Sequence, residues 1–238
     1  MGGILDDFKY IIYLWRKCRS FLLYKILKEE FKIEIEEKNL KNDGNLNMKE
    51  IKQFTFLGKV NNNNIYIGNI SGVKNLNSVY VTELIESSQF YKLDKILFIM
   101  DADYGDNNES GFTRMEKSIT DIIKKIQETK NIKTAYFISP NNRDDGMIEN
   151  LLIEAMKCKK IKEYIKEEVV PKIRKMEDCE ITKFSESKSI FMMIAATQSP
   201  MKGNASSFIT DCYKKLDKDN KYFKGIKNFI SKAIQNDS

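Results

Sequence analysis

Apolar residues fall into two rhythms along this chain, and the change of rhythm divides it. Tyr10–Trp15 (YIIYLW) is a short continuous apolar run of strand type. Ser20–Phe31 (SFLLYKILKEEF) spaces its apolar residues as a helix does, behind a serine suited to the N-cap. Asn39–Asn47 is rich in Asn and Gly and reads as a loop. Phe54–Val60 and Ile65–Ile70 read as two strands joined by a turn at Asn61–Asn64. Gly72–Asn77 leads into a helix over Ser78–Phe90. Lys95–Met100 is the most hydrophobic strand. A helix follows over Gly111–Lys130, with Met115, Ile119, Ile122, Ile123 and Ile126 on one face. Lys133–Ile138 is the next strand, closed by Ser139, Pro140, Asn141 and Asn142. Gly146 opens a helix over Met147–Lys157.

Strands alternating with helices predict an α/β domain over residues 1–157, with a mostly parallel sheet flanked by helices. Beyond Lys157 the spacing is helical throughout, which predicts a helical extension over 158–238 packed on that domain. Its segments are Glu163–Met176 (with Pro171 inside), Ser185–Thr197, Ser206–Leu216 and Tyr222–Ile234. Phe191, Met192, Met193 and Ile194 are expected in the core. Lys159–Lys175 is mixed in sign and reads as an exposed helix rather than a nucleic-acid arm.

Composition narrows the chemistry. With 238 residues, 42% of them hydrophobic, the chain can bury a substantial core. A net charge of +6 permits contact with a polyanion without requiring it, since the lysines are spread along many helices. There is no histidine, so histidine triads, histidine bases and histidine-ligated zinc are excluded. Cys18, Cys158, Cys179 and Cys212 are scattered with no CxxC pair, and read as free thiols in a reducing compartment. The opening residues make a poor signal peptide, and no apolar run reaches the length of a membrane span. The expectation is a cytoplasmic protein without membrane contact.

The chemistry centres on KILFIMDADYGDNNESG, Lys95–Gly111, where a buried strand ends in two aspartates. In extended backbone, residues two apart point the same way, so Asp101 and Asp103 can face one cation. Magnesium suits such a site, taking a few carboxylates, several waters and a substrate phosphate. SPNNRDDGMIENLLIEAM, Ser139–Met156, also follows a strand. Its Glu149 sits in the first turn of a helix, with Asp144 and Asp145 nearby. Acidic residues also suit a helix N-terminus for the dipole alone. Together the two strand ends predict one acidic pocket.

The order of elements from Tyr10 to Met156, with FIMDAD and the glycine-then-glutamate helix start, resembles the Toprim (topoisomerase–primase) fold. It is closest to a Toprim-like family of unknown function related to the nuclease domain of overcoming-lysogenization-defect proteins. KSIFMMIAATQSPMKGNASSF is similar to the tail of that family. The resemblance implies metal-dependent phosphoryl transfer on nucleic acid, most often DNA cutting or joining, with Mg2+ or Mn2+. It implies Asp101 and Asp103 as catalytic metal ligands and Glu149 as a ligand of a second metal. A partner ATPase in genome defence is implied by the same analogy.

One departure bears on that activity. Where the family has a glutamate, a glycine and a later aspartate, this chain has Trp15, Arg16 and Arg19. Tryptophan neither holds a metal nor moves a proton, and arginine is permanently cationic. Either catalysis has been lost, with Arg16, Lys17 and Arg19 forming a basic lip, or another acid (Asp6, Asp7, Glu34 or Glu36) enters the pocket. The apolar match favours the first. The alternatives to a nuclease are therefore a catalytically inactive subunit that binds a partner protein or nucleotide, and a DxD metal-dependent glycosyltransferase. A phosphatase of the haloacid dehalogenase type is excluded by the mid-chain position of the motif and by Gly105. No Walker A or GxGxxG sequence is present.

Overall fold

The computed structural model describes residues 8–15, 17–37, 54–60, 63–70, 85–86, 93–106, 108–199 and 201–235. The expected loop at Asn39–Asn47, the segment Gly72–Asn77, Asp6, Asp7, Arg16 and almost all of the expected helix Ser78–Phe90 lie outside these residues. The chain forms two compact units. The first comprises Met1–Met100, Glu116–Tyr136 and Ala233–Ser238; the second comprises Asp101–Met115 and Phe137–Lys232.

In the first unit, β1 (Phe8–Trp15) is followed by α1 (Lys17–Lys25), which continues as one π-helical turn over Ile26–Glu30. Then come β2 (Glu34–Glu37), β3 (Phe54–Val60), β4 (Asn63–Ile70) and β5 (Lys95–Asp101). After α2 (Gly111–Thr129) the chain forms β6 (Lys133–Ser139). The sheet order is β2-β3-β4-β1-β5-β6. β1 runs parallel to both neighbours, with Ile11 opposite Tyr66 on one side and Ile96 on the other. β2, β3 and β4 form an antiparallel meander, as the two-residue link between β3 and β4 requires. β5 is buried along its whole length, a strand covered on both faces. Its Lys95 is also buried, and Nζ donates to the Ala233 carbonyl, 2.5 Å away, near a helix C-terminus where a cation is favoured.

The second unit is nearly all helix. It holds α3 (Ile148–Ala155), α4 (Lys159–Tyr164), α5 (Val170–Ile173), α6 (Lys183–Ala196), α7 (Ala205–Cys212) and most of α8 (Lys221–Gln235). A π turn over Ile165–Val169 joins α4 to α5, and the Val170 N–H reaches back to the Ile165 carbonyl. Pro171, which has no N–H to donate, follows directly at the start of α5. Asn204 caps α7 by accepting the Ser207 N–H at 2.9 Å. Phe191 and Phe208 meet edge to face at 5.4 Å in this unit's core, with Ile194 fully buried beside them in sequence. Met192, expected inside, is 37% exposed.

These observations correct the expected architecture. The protein is predominantly helical, not a Toprim-like, mostly parallel sheet flanked by helices. Half of the sheet's order is an antiparallel meander. The unit that carries Asp101, Asp103 and Glu149 contains only the ends of two strands, Asp101 of β5 and Phe137–Ser139 of β6. Alternating strand and helix signals do not fix strand direction, β2, β3 and β4 follow one another as a meander, and the helices after Lys157 outweigh the sheet. No helix among the described residues is long and apolar enough to cross a membrane.

Candidate ligand-binding cleft

The two strand ends are laced together by backbone bonds. The Ala102 N–H donates to the Ser139 carbonyl at 3.0 Å, and the Gly146 N–H donates to the Asp103 carbonyl at 2.8 Å. Asp103 adopts φ 55°, a left-handed conformation that aspartate tolerates better than most residues. Gly146 has φ 139°, a region open to glycine.

Asp101 is 1% exposed, and its Oδ1 accepts the N–H of Ile148, the first residue of α3, at 2.9 Å. The N-cap residue of that helix, Met147, has no oxygen on its side chain, so Asp101 supplies the acceptor from β5 instead. Asp145 does the same for α2. Its Oδ1 accepts the Phe112 N–H at 2.8 Å and its Oδ2 accepts the Gly105 N–H at 3.0 Å. Gly111, at the start of α2, is packed against the DxD backbone. A Cβ there would lie 2.5 Å from the Asp103 carbonyl oxygen and 2.6 Å from that of Ala102. Asp144 is exposed, and hydrogen bonds from Arg143 and Asn141 hold its carboxyl below the usual range.

The aspartates and Glu149 are thus brought to one edge, with Glu149 half-buried in the first turn of the helix that Asp101 caps. Among the described residues, however, no three carboxylate or thiolate side chains gather so as to hold a metal ion. Asp101 and Asp103, expected as ligands of one cation, and Glu149, expected at a second, lie at this edge without forming such a cluster of three. Trp15 ends β1 and Arg19 lies in α1; their side chains fall outside the described residues.

Beside this edge lies a cleft of about 340 Å³ in the second unit. Its polar heart is a cluster from three segments. The Tyr104 hydroxyl and Ser187 Oγ are 2.5 Å apart, and Asn150 Nδ2 donates to Ser187 Oγ at 2.8 Å. Asn150 Oδ1 accepts the Met147 N–H at 2.8 Å, so the amide is fixed in orientation by α3's own N-terminus. Pro140, Ile190 and Tyr222 contribute apolar surface. Four carboxylates stand in the cleft wall: Asp144 pairs with Arg143, Asp145 accepts the Gly105 and Phe112 N–H groups, and the two glutamates have cationic partners. Glu154 meets Lys166 at 2.8 Å and Lys162 at 3.7 Å, and Glu186 meets Arg174 at 2.7 Å. Burial pushes the Glu154 carboxyl up, but the Lys166 hydrogen bond and the two lysine charges outweigh it and hold the group below its ordinary value. Glu154 therefore contributes stability at neutral pH that is lost as acid titrates it through the lowered folded value.

A profile of the family described as "Protein of unknown function (DUF3226)" matches residues 6–235, through both units and every residue of the cleft. The chain belongs to that family. No curated protein matches it, and no solved structure matches it. In this DUF3226 chain the cleft residues Tyr104, Ser187, Glu186 and Tyr222 carry no signal in the sequence. Tyr104 and Ser187 are 83 positions apart, and nothing in their spacing foretells the contact. Asn150 lies inside the acidic segment Ser139–Met156, next to Glu149, the chemically richer neighbour.

Proposed function

We propose that this protein acts by binding, as a subunit whose ligand site is the Tyr104–Asn150–Ser187 cleft. The observation behind this reading is the commitment of Asp101: its carboxylate is buried and serves as the acceptor for the N-terminus of α3. The cleft beside it has the size and mixed lining of small-molecule sites, apolar walls with a few fixed polar groups. With Glu154, Glu186 and Asp144 paired to cations and Asp145 engaged by backbone N–H groups, the cleft suits an uncharged, hydrogen-bonding ligand with a ring, of nucleoside size. Adenosine is a suitable probe for calorimetry. Wild type is expected to bind it, and Tyr104→Phe and Ser187→Ala each to bind it about tenfold more weakly, the cost of one hydrogen bond. Equal affinity in all three proteins, or no binding by any, overturns the cleft as the site. Free Cys158, Cys179 and Cys212 fit a cytoplasmic setting.

A second reading keeps the metal chemistry. The bond from the Ile148 N–H to Asp101 Oδ1 sets Glu149's turn against the strand end, which favours Asp101 and Asp103 as ligands of one Mg2+ or Mn2+ and Glu149 as a ligand of a second, acting on nucleic acid.

A further inference from the structure

The second unit has another cavity, of about 390 Å³, that shares no lining residue with the cleft. Lys157, Lys214 and Lys215 stand around it, and no carboxylate lines it. Several other lysines of this unit pair with acids: Lys159 with Glu163, Lys166 with Glu154, Lys172 with Glu168, Lys224 with Asp219. Two of the pocket's lysines are held by neutral oxygens. Lys157 Nζ donates to the Lys214 carbonyl at 3.4 Å, and Lys215 Nζ donates to the Ser199 carbonyl at 3.0 Å. A carbonyl orients an ammonium without cancelling its charge. The backbone beneath is fixed too. Met156 and Leu216 form an antiparallel bridge, the Lys157 N–H donates to the Lys215 carbonyl at 3.1 Å, and the Asp217 N–H donates to the Ala155 carbonyl at 2.6 Å. These bonds tie the lysine-bearing segments to each other, so the charges are gathered before any ligand arrives. The floor is apolar, with Met156 4% and Phe208 1% exposed. A concentrated positive rim over an apolar floor suits a phosphate attached to a flat ring.

We propose that this lysine-rimmed pocket binds the terminal phosphate of a nucleotide, either free or at the end of a nucleic-acid strand. The proposal does not depend on the cleft. It is tested by calorimetry with adenosine 5′-monophosphate, adenosine, and short single-stranded DNA with and without a 5′-phosphate. The proteins are wild type, a Lys157→Gln/Lys214→Gln/Lys215→Gln variant and a control Lys159→Gln/Lys172→Gln/Lys224→Gln variant, with circular dichroism to confirm folding. Glutamine keeps a donor for the Ser199 and Lys214 carbonyls while removing the charge. At least one phosphorylated ligand is expected to bind wild type and the control alike. The pocket variant is expected to bind it about tenfold or more weakly, with a shallower dependence of affinity on salt. Binding of adenosine 5′-monophosphate alone identifies a free nucleotide, and binding of the phosphorylated strand alone a strand end. Adenosine binding in the cleft is expected to be unchanged in the pocket variant, which separates the two sites. The proposal is overturned if no phosphorylated ligand binds, if the pocket variant binds as wild type does, or if the control weakens binding equally.

Discussion

Asp101→Ala is expected to lower the stability of the protein by about 3 kcal/mol, from the loss of a charge-assisted hydrogen bond and the buried donor it leaves unmatched. The side chain is buried, and its Oδ1 receives the Ile148 N–H at 2.9 Å. Alanine removes the acceptor of that buried N–H. Asp101→Asn behaves differently. Its amide oxygen can still accept the Ile148 N–H, so a cost of about 1 kcal/mol is expected, the difference between an ionised and a neutral acceptor. Urea denaturation of the three proteins measures both steps. If alanine and asparagine cost the same, the hydrogen bond to α3 is not what Asp101 contributes.

The second large effect falls on Asp145. Its two oxygens serve two donors, Gly105 N–H in the loop and Phe112 N–H in the first turn of α2. Asp145→Ala is expected to cost about 3 kcal/mol; two charge-assisted bonds are lost, discounted because the group is partly solvated. Asp145→Asn presents one acceptor and one donor where two acceptors are needed, so it should recover about half of that loss. Thermal unfolding by circular dichroism reads the series, and the expected order is wild type, then asparagine, then alanine. An alanine variant as stable as wild type contradicts the capping role.

Much of the element pattern can be read from the sequence. β1, β3, β5 and β6 begin and end close to the apolar runs that suggest them, and Met115, Ile119, Ile122 and Ile126 of α2 are buried as their spacing predicts. β2 is not legible, since EIEE sets a single isoleucine among glutamates. The architecture is less legible still. Local patterning shows where strands are, whereas their direction depends on which strand is the neighbour, a property of long-range pairing. The acids at the strand ends were readable as a group, but not their use. A carboxylate that caps a helix and one that binds a metal have the same residue type and follow the same strand. What separates them is the N–H facing Asp101 and the pair of N–H groups facing Asp145, and these lie 47, 40 and 33 positions away. The cleft lies beyond sequence reading for the same reason, since its hydroxyls and amide come from a loop and two separate helices.

The most direct measurement is calorimetric titration of Mg2+ and of Mn2+ into wild type and into Asp101→Asn, the substitution that keeps the helix cap and removes the charge. If Asp101 serves α3 and the protein acts by binding in the cleft, the two proteins give the same heats, with no one-to-one site in either. A one-to-one cation site in wild type that disappears in Asp101→Asn would contradict this and make Asp101 a metal ligand.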